Sequence, residues 1–315
     1  MKRIISSFLI FQLICFNSFS QPAIADTMVT NVLDIAWMPD GKALCVAVIR
    51  SDKARKRTPQ FAIFKLDLKT GKTALLIKNA SGPGISPDGR KMAYTKRDGP
   101  VPLGNTDIYI YDFKTKLEKP IIADSVRESS PSWSPDGKKL VYTVLANLDK
   151  GIRYADLNLW VVNIETGEKK EILEANGVGV KMYNPVWAPA GNKIVYYLEK
   201  GDGRDQIYIT DENGSYQTNL TADTSTHNYY PGWIGNQILY TRSPGKIITM
   251  NPDGSQKSII EKLQTSRAFY NAKTDKIAFS APFGEQNLPT IKIFDMKTKQ
   301  VTNVISAEVL NSLEF

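Results

Sequence analysis

Pro131-Ser132-Trp133-Ser134-Pro135-Asp136-Gly137-Lys138-Lys139-Leu140-Val141-Tyr142-Thr143 is the stretch on which the reading of the fold turns. Proline presets φ for a tight turn and glycine accepts positive φ, so Pro135-Asp136-Gly137 between two apolar runs predicts a hairpin. The same grammar returns at Leu33-Asp34-Ile35-Ala36-Trp37-Met38-Pro39-Asp40-Gly41 and at Gly84-Ile85-Ser86-Pro87-Asp88-Gly89. Three degenerate copies follow: Pro185-Val186-Trp187-Ala188-Pro189-Ala190-Gly191, Pro231-Gly232-Trp233-Ile234-Gly235-Asn236 and Ala268-Phe269-Tyr270-Asn271-Ala272-Lys273. The prolines at 39, 87, 135 and 189 are 48, 48 and 54 residues apart, a period that marks repeated supersecondary units.

Each repeat continues beyond its hairpin. A third apolar strand follows a loop of variable length, as in Asp107-Ile108-Tyr109-Ile110-Tyr111-Asp112 and Leu159-Trp160-Val161-Val162-Asn163. A turn such as Glu165-Thr166-Gly167-Glu168 then leads to a short fourth strand. Four antiparallel strands make one propeller blade, and one blade cannot bury both of its faces alone, so the blades must stack and close into a ring. The chain is therefore expected to be all-β, a six-bladed β-propeller preceded by a signal peptide. Its predicted blades cover residues 31–78, 80–122, 128–173, 182–221, 228–260 and 266–305, with 306–315 as a closing strand or tail beside the chain start. Trp37, Trp133, Trp187 and Trp233 recur at one repeat position, which assigns them to packing between blades rather than to a ligand platform.

The Trp-Ser-Pro-Asp-Gly pattern at 133–137 resembles the repeat of the TolB-type β-propeller family, and the resemblance runs over roughly residues 31–305. It implies a periplasmic or secreted binding scaffold, with a peptidoglycan-associated lipoprotein as one candidate partner. The same repeat also occurs in the propeller caps of prolyl-oligopeptidase-type enzymes, so it specifies fold more than function. The family's namesake carries an α/β domain ahead of its propeller. Here only residues 26–30 precede the first repeat, so no such domain is expected.

Around this core, the chain start reads as an export signal: Lys2 and Arg3, an apolar stretch to Phe19, and Ala23-Ile24-Ala25 before a predicted cut ahead of Asp26. Loss of Lys2 and Arg3 from 40 basic residues leaves 38 against 32 acidic ones, a mild excess suited to acidic surfaces. Cys45 is then the remaining cysteine, so no internal disulfide can form, and its apolar neighbours mark it as a core residue. No later run is long and apolar enough to span a membrane, and the chain is expected to be a monomer. Lys53-Ala54-Arg55-Lys56-Arg57 is the densest basic cluster, but export makes a nucleic-acid partner improbable.

Function is expected on the face opposite the Pro-Asp-Gly turns, where loops of unequal length meet the channel. Residues just before each first strand point to its mouth: Arg127, Glu128, Tyr183, His227, Tyr229, Tyr230 and Arg267, joined by Arg97, Arg153 and Arg242 from longer loops. A ring of Arg and Tyr suits a protein surface or a carboxylated glycan, because Arg binds carboxylates bidentately and Tyr stacks. His227 is the one histidine, which excludes multi-histidine metal sites, and no Gly-x-Ser-x-Gly elbow is present. Channel mouths can offer oxygen ligands to calcium, but the sequence has no EF-hand loop, so no cofactor is assigned. The expectation is a non-enzymatic binder of an envelope protein or glycan. The alternative is a lyase or hydrolase for acidic glycans, with Tyr183, Tyr229 or His227 as base and Arg127, Arg242 or Arg267 neutralising a carboxylate.

Overall fold

The computed structural model describes residues 28–315, apart from 53–56, 100–103, 125, 148–150, 152–153, 176–178, 201–203, 223–224 and 282–289. The predicted signal segment, most of the basic cluster at 53–57, and Arg153 lie outside the described residues.

Every described strand belongs to an antiparallel unit of four consecutive strands. The third repeat shows the pattern: Glu128–Trp133, Lys139–Ala146, Asp156–Asn163 and Lys169–Leu173 lie side by side in chain order. Both faces of Lys139–Ala146 are covered, since Leu140, Val141, Tyr142 and Thr143 are all buried, and Leu140 lies between Trp133 and Val162 in the register. Its hairpin is locked locally: the Ser134 hydroxyl donates to Asp136 at 2.6 Å, and Lys138 N donates to the same carboxylate at 3.0 Å. Gly137 closes the turn at φ +70°, which any residue with a Cβ would adopt only under strain.

Six separate sheets are expected from the repeats, but five are observed. Four have four strands each, and the third and fourth repeats merge into one sheet of eight. The join is a single parallel bridge between Leu157 and Lys181. Its cause is local: the Asp156 carboxylate accepts from Val180 N at 2.9 Å and draws the incoming chain onto the Asp156–Asn163 strand.

The first strands form the inner ring. Met28–Trp37, Ala80–Ile85, Glu128–Trp133, Lys181–Trp187, Asn228–Ile234 and Ala268–Asn271 each lie against the next, and the last returns to the first. Three of the four recurring tryptophans join neighbours through their indole N–H, and Trp187 does not among the described residues. Trp133 Nε1 donates to Gly84 O at 2.9 Å, Trp233 Nε1 to Val186 O at 3.2 Å, and Trp37 Nε1 to Phe269 O at 2.7 Å across the closing seam. Each bond runs from one repeat to the inner strand of the one before it. Gly84 is needed there for a second reason, since a Cβ would come within 2.9 Å of the Pro131 carbonyl.

No strand is exchanged between the last sheet and the first among the described residues. The tail, expected as a closing strand or tail beside the chain start, begins as a short helix, Ala307–Asn311. Apolar residues at 307, 310 and 313 recur at helical spacing, and Ala307, Leu310 and Leu313 are all buried. Asn311 Oδ1 accepts from Thr30 N at 3.0 Å, while Arg50 donates to the carbonyls of Asn311 and Leu313 and lies 4.4 Å from the Phe315 ring centre. The chain end thus clasps the first sheet through side chains and carbonyls. No described helix is long and apolar enough to cross a membrane.

Candidate functional site

A cavity of about 800 Å³ runs along the inner strands and reaches the turn-bearing face at Pro39, Pro87, Pro135 and Pro189. One position recurs around its wall, three residues before the Trp position: Asp34, Gly82, Ser130, Asn184, Tyr230 and Arg267. Four of these have positive φ and precede a proline: Gly82 (+60°), Ser130 (+56°), Asn184 (+47°) and Tyr230 (+51°). The hairpin registers slip at the same places, between Ser81 and Gly84, Tyr183 and Val186, and Tyr229 and Gly232. These are bulges that turn the strand ends outward and re-aim side chains, as bulges near binding sites do. A bulky Tyr in this backbone region is an outlier held by its surroundings.

The ring is unequal. Arg267 Nη1 pairs with Asp34 Oδ2 at 2.9 Å and donates to Leu33 O at 3.1 Å, and its guanidinium lies 4.5 Å from the Tyr230 ring centre. Side-chain exposures of 19% for Arg267 and 14% for Asp34 make this a largely buried pair across the closing seam. Burial pushes the Asp34 carboxyl up, and Arg267 pulls it back.

Tyr230 also lines a second cavity of about 600 Å³, and so links the channel to its mouth. The other walls of this cup are Tyr183, Tyr197, Tyr229, Glu199, Asp205, His227 and Ser266. Register builds it: Tyr183 faces Tyr197 directly across the Lys181–Trp187 and Lys193–Glu199 strands, with Lys181 opposite Glu199 one step on. Asn228 N donates to Asp205 O at 2.8 Å, which brings the His227–Tyr230 segment of the next repeat against this edge. Tyr183 and Tyr197 stack at 5.1 Å between ring centres, and Tyr197–Tyr230 and Tyr229–Tyr230 meet edge to face at 5.6 and 5.1 Å.

The polar groups are placed around these rings. His227 Nδ1 lies 3.1 Å from Asp205 Oδ2, and Glu199 shares the cup with the Tyr183 phenol. Burial, followed by the Glu199 charge, pushes the Tyr183 phenol well above its ordinary range. Tyr197 and Tyr229 rise as well, again chiefly through burial. The phenols therefore keep their protons.

Of the residues predicted at the mouth, Tyr183, His227, Tyr229 and Tyr230 meet in the cup, and Arg267 stands in the channel wall behind it. Arg242 is turned aside, its Nε donating to Asn228 Oδ1 at 3.2 Å. Arg97 covers the Phe61 ring at 4.9 Å, and its guanidinium is destabilised by burial and by Arg127, which places both on a separate, basic arc. Glu128 is not a mouth residue. It is 1% exposed, at the position that other repeats give to the buried Ala80, Met182 and Asn228, so strand alternation turns it inward. Among the described residues neither carboxylate oxygen has a hydrogen-bond partner, and burial, Asp107 and Asp124 push it up to about 8 against the pull of Lys169.

Sequence reasoning missed Tyr197, Glu199 and Asp205. Tyr197 sits in an alternating second strand and reads as core, and only the bulged register opposite Tyr183 exposes its role. Among the described residues, no three His, Cys, Asp or Glu side chains converge as a metal site would require.

The TolB beta propeller domain family matches residues 78–274 of the chain. Among solved structures, an oligogalacturonate lyase in complex with manganese is 18% identical with a TM-score of 0.61, over 89% of this chain and 78% of that one. TolB from Acinetobacter baumannii is 15% identical with a TM-score of 0.61, over 89% and 80%. The β-propeller domain of the Trilobed protease from Pyrococcus furiosus, described as having an open velcro topology, is 18% identical with a TM-score of 0.54, over 88% and 84%. At these identities the likeness is one of fold. No curated protein matches in sequence.

Proposed function

The chain belongs to the TolB beta propeller domain family, and on that premise we propose that it is an exported, non-enzymatic binding scaffold of the periplasm or cell exterior. Counting the eight-stranded sheet as two blades gives six, a reading supported by the closed circuit of six inner strands. The scaffold takes an envelope protein or glycan at its channel mouth, and a peptidoglycan-associated lipoprotein is one candidate. The observation that carries this reading is the cup itself: four tyrosines from two neighbouring repeats, fixed by bulged strands, open onto the loop-rich face. Aromatic rings that brace one another in a fixed arrangement are what a binding surface needs, because little conformational freedom is lost on contact.

The same geometry weighs against an acidic-glycan lyase. Tyrosines pushed up by burial are poor bases, and Arg267 is committed to Asp34. Among the described residues, the His227–Asp205 contact is an arrangement that would serve such an enzyme. Retention of an envelope component by the purified chain, lost on Tyr229→Ala, is the expected outcome. No retention at low or physiological salt, together with new ultraviolet absorbance from polyuronides that His227→Ala abolishes, would replace binding with catalysis.

A further inference from the structure

The charge of the cup has a sign. Its wall carries two carboxylates, Glu199 and Asp205, against one histidine, His227, which Asp205 already faces, and its described lining includes no Lys or Arg. The mouth arginines predicted to attract acidic ligands are elsewhere: Arg267 faces Asp34, Arg242 faces Asn228, and Arg97 neighbours Arg127 on another arc. Ring faces present a negative quadrupole, and edge-to-face packing of Tyr197, Tyr229 and Tyr230 leaves such faces turned in different directions around one space. Carboxylates beside tyrosine faces stabilise a desolvated cation through both charge and quadrupole, whereas an anion would meet repulsion from both. Arg267 over Tyr230 shows the attraction already at work on the channel side of the same ring.

We propose that the tyrosine cup at the channel mouth receives an alkylammonium group, lodged among Tyr183, Tyr197, Tyr229 and Tyr230 and facing Glu199 and Asp205. This rests on the binding reading above and specifies the chemistry of its ligand. The ammonium can belong to a free amine or to a lysine side chain of a protein partner. The cup, at about 600 Å³, has room for either together with its flanking atoms.

The test is an NMR titration of the full mature chain carrying ring-labelled tyrosine. The probes are choline, its uncharged isostere 3,3-dimethylbutan-1-ol, and N-acetyl-lysine methylamide. Choline is expected to shift the cup tyrosines saturably, with the isostere at least about tenfold weaker. Glu199→Gln keeps the shape and removes the charge, and should weaken choline by roughly tenfold while leaving the isostere unchanged. Lysine methylamide binding more tightly than choline would assign the ammonium to a protein side chain, and the reverse order to a free amine. Equal affinity for choline and isostere, or shifts unaffected by Glu199→Gln, would overturn the inference. If the ammonium probes fail yet Tyr229→Ala still abolishes retention of an envelope component, the scaffold reading stands without this ligand class. If both fail, the scaffold reading falls too.

Discussion

Glu128 should make this fold lose stability as pH rises. The residue is 1% exposed, its carboxylate lacks hydrogen-bond partners among the described residues and is near Asp107 and Asp124, with Lys169 as the compensating cation, and its pKa stands at about 8 against an ordinary 4.5. Because the folded value is raised, the native state holds this proton after the unfolded chain has released it. Stability is therefore full below pH 4.5, falls between 4.5 and about 8, and levels off above that. The slope is about 1.4 kcal/mol per pH unit, so the whole interval corresponds to a ceiling of about 5 kcal/mol. Glu128→Gln removes the titration while keeping size and polarity. Urea denaturation of both proteins from pH 5 to 8 isolates the effect, since every other titrating group is shared. The wild type should lose stability relative to Glu128→Gln by about 2–4 kcal/mol over that range. Parallel stability curves would refute the reasoning.

Other outcomes follow from the seam and the staples. Arg267→Met leaves Asp34 buried beside no guanidinium and should cost about 3–5 kcal/mol in chemical denaturation, with most of it restored by adding Asp34→Asn. Trp133→Phe keeps the ring but loses the bond to Gly84 O, and should cost about 1 kcal/mol beyond the small change in volume, read from the denaturation midpoint. Deleting residues 306–315 strips Leu310 and Leu313 from the first sheet, at about 1.5–3 kcal/mol for each side chain, and should lower the thermal midpoint by several degrees.

Much of the architecture was legible because the Pro-Asp-Gly hairpins and their tryptophans repeat. Turn chemistry is local, so Ser134, Asp136 and Gly137 announce their hairpin without knowledge of anything distant. The merging of two sheets at Leu157 and Lys181 was not legible, since it depends on where Asp156 meets Val180 in space. The tail misled because Val309 and Leu310 resemble a first strand, although apolar spacing from 307 to 313 already favoured a helix. Half of the cup was readable from position before the first strands. The remainder, Tyr197 with Glu199 and Asp205, needed the bulged register that turns a second strand toward the mouth. Glu128 failed for another reason: its position reads as just before the first strand, but the strand begins at Glu128, and comparison with Ala80, Met182 and Asn228 at the same repeat position would have placed it inside.

The most direct measurement of the central claim is photo-crosslinking in envelope extract from two positions on the chain. One probe replaces Ser266 at the rim of the cup, and the other replaces Asp40 in an exposed Pro-Asp-Gly turn on the opposite face. Adducts from position 266 that disappear on Tyr229→Ala, with none from position 40, are the predicted result. Adducts arising equally from both positions, or chiefly from position 40, would contradict a binding site at the channel mouth.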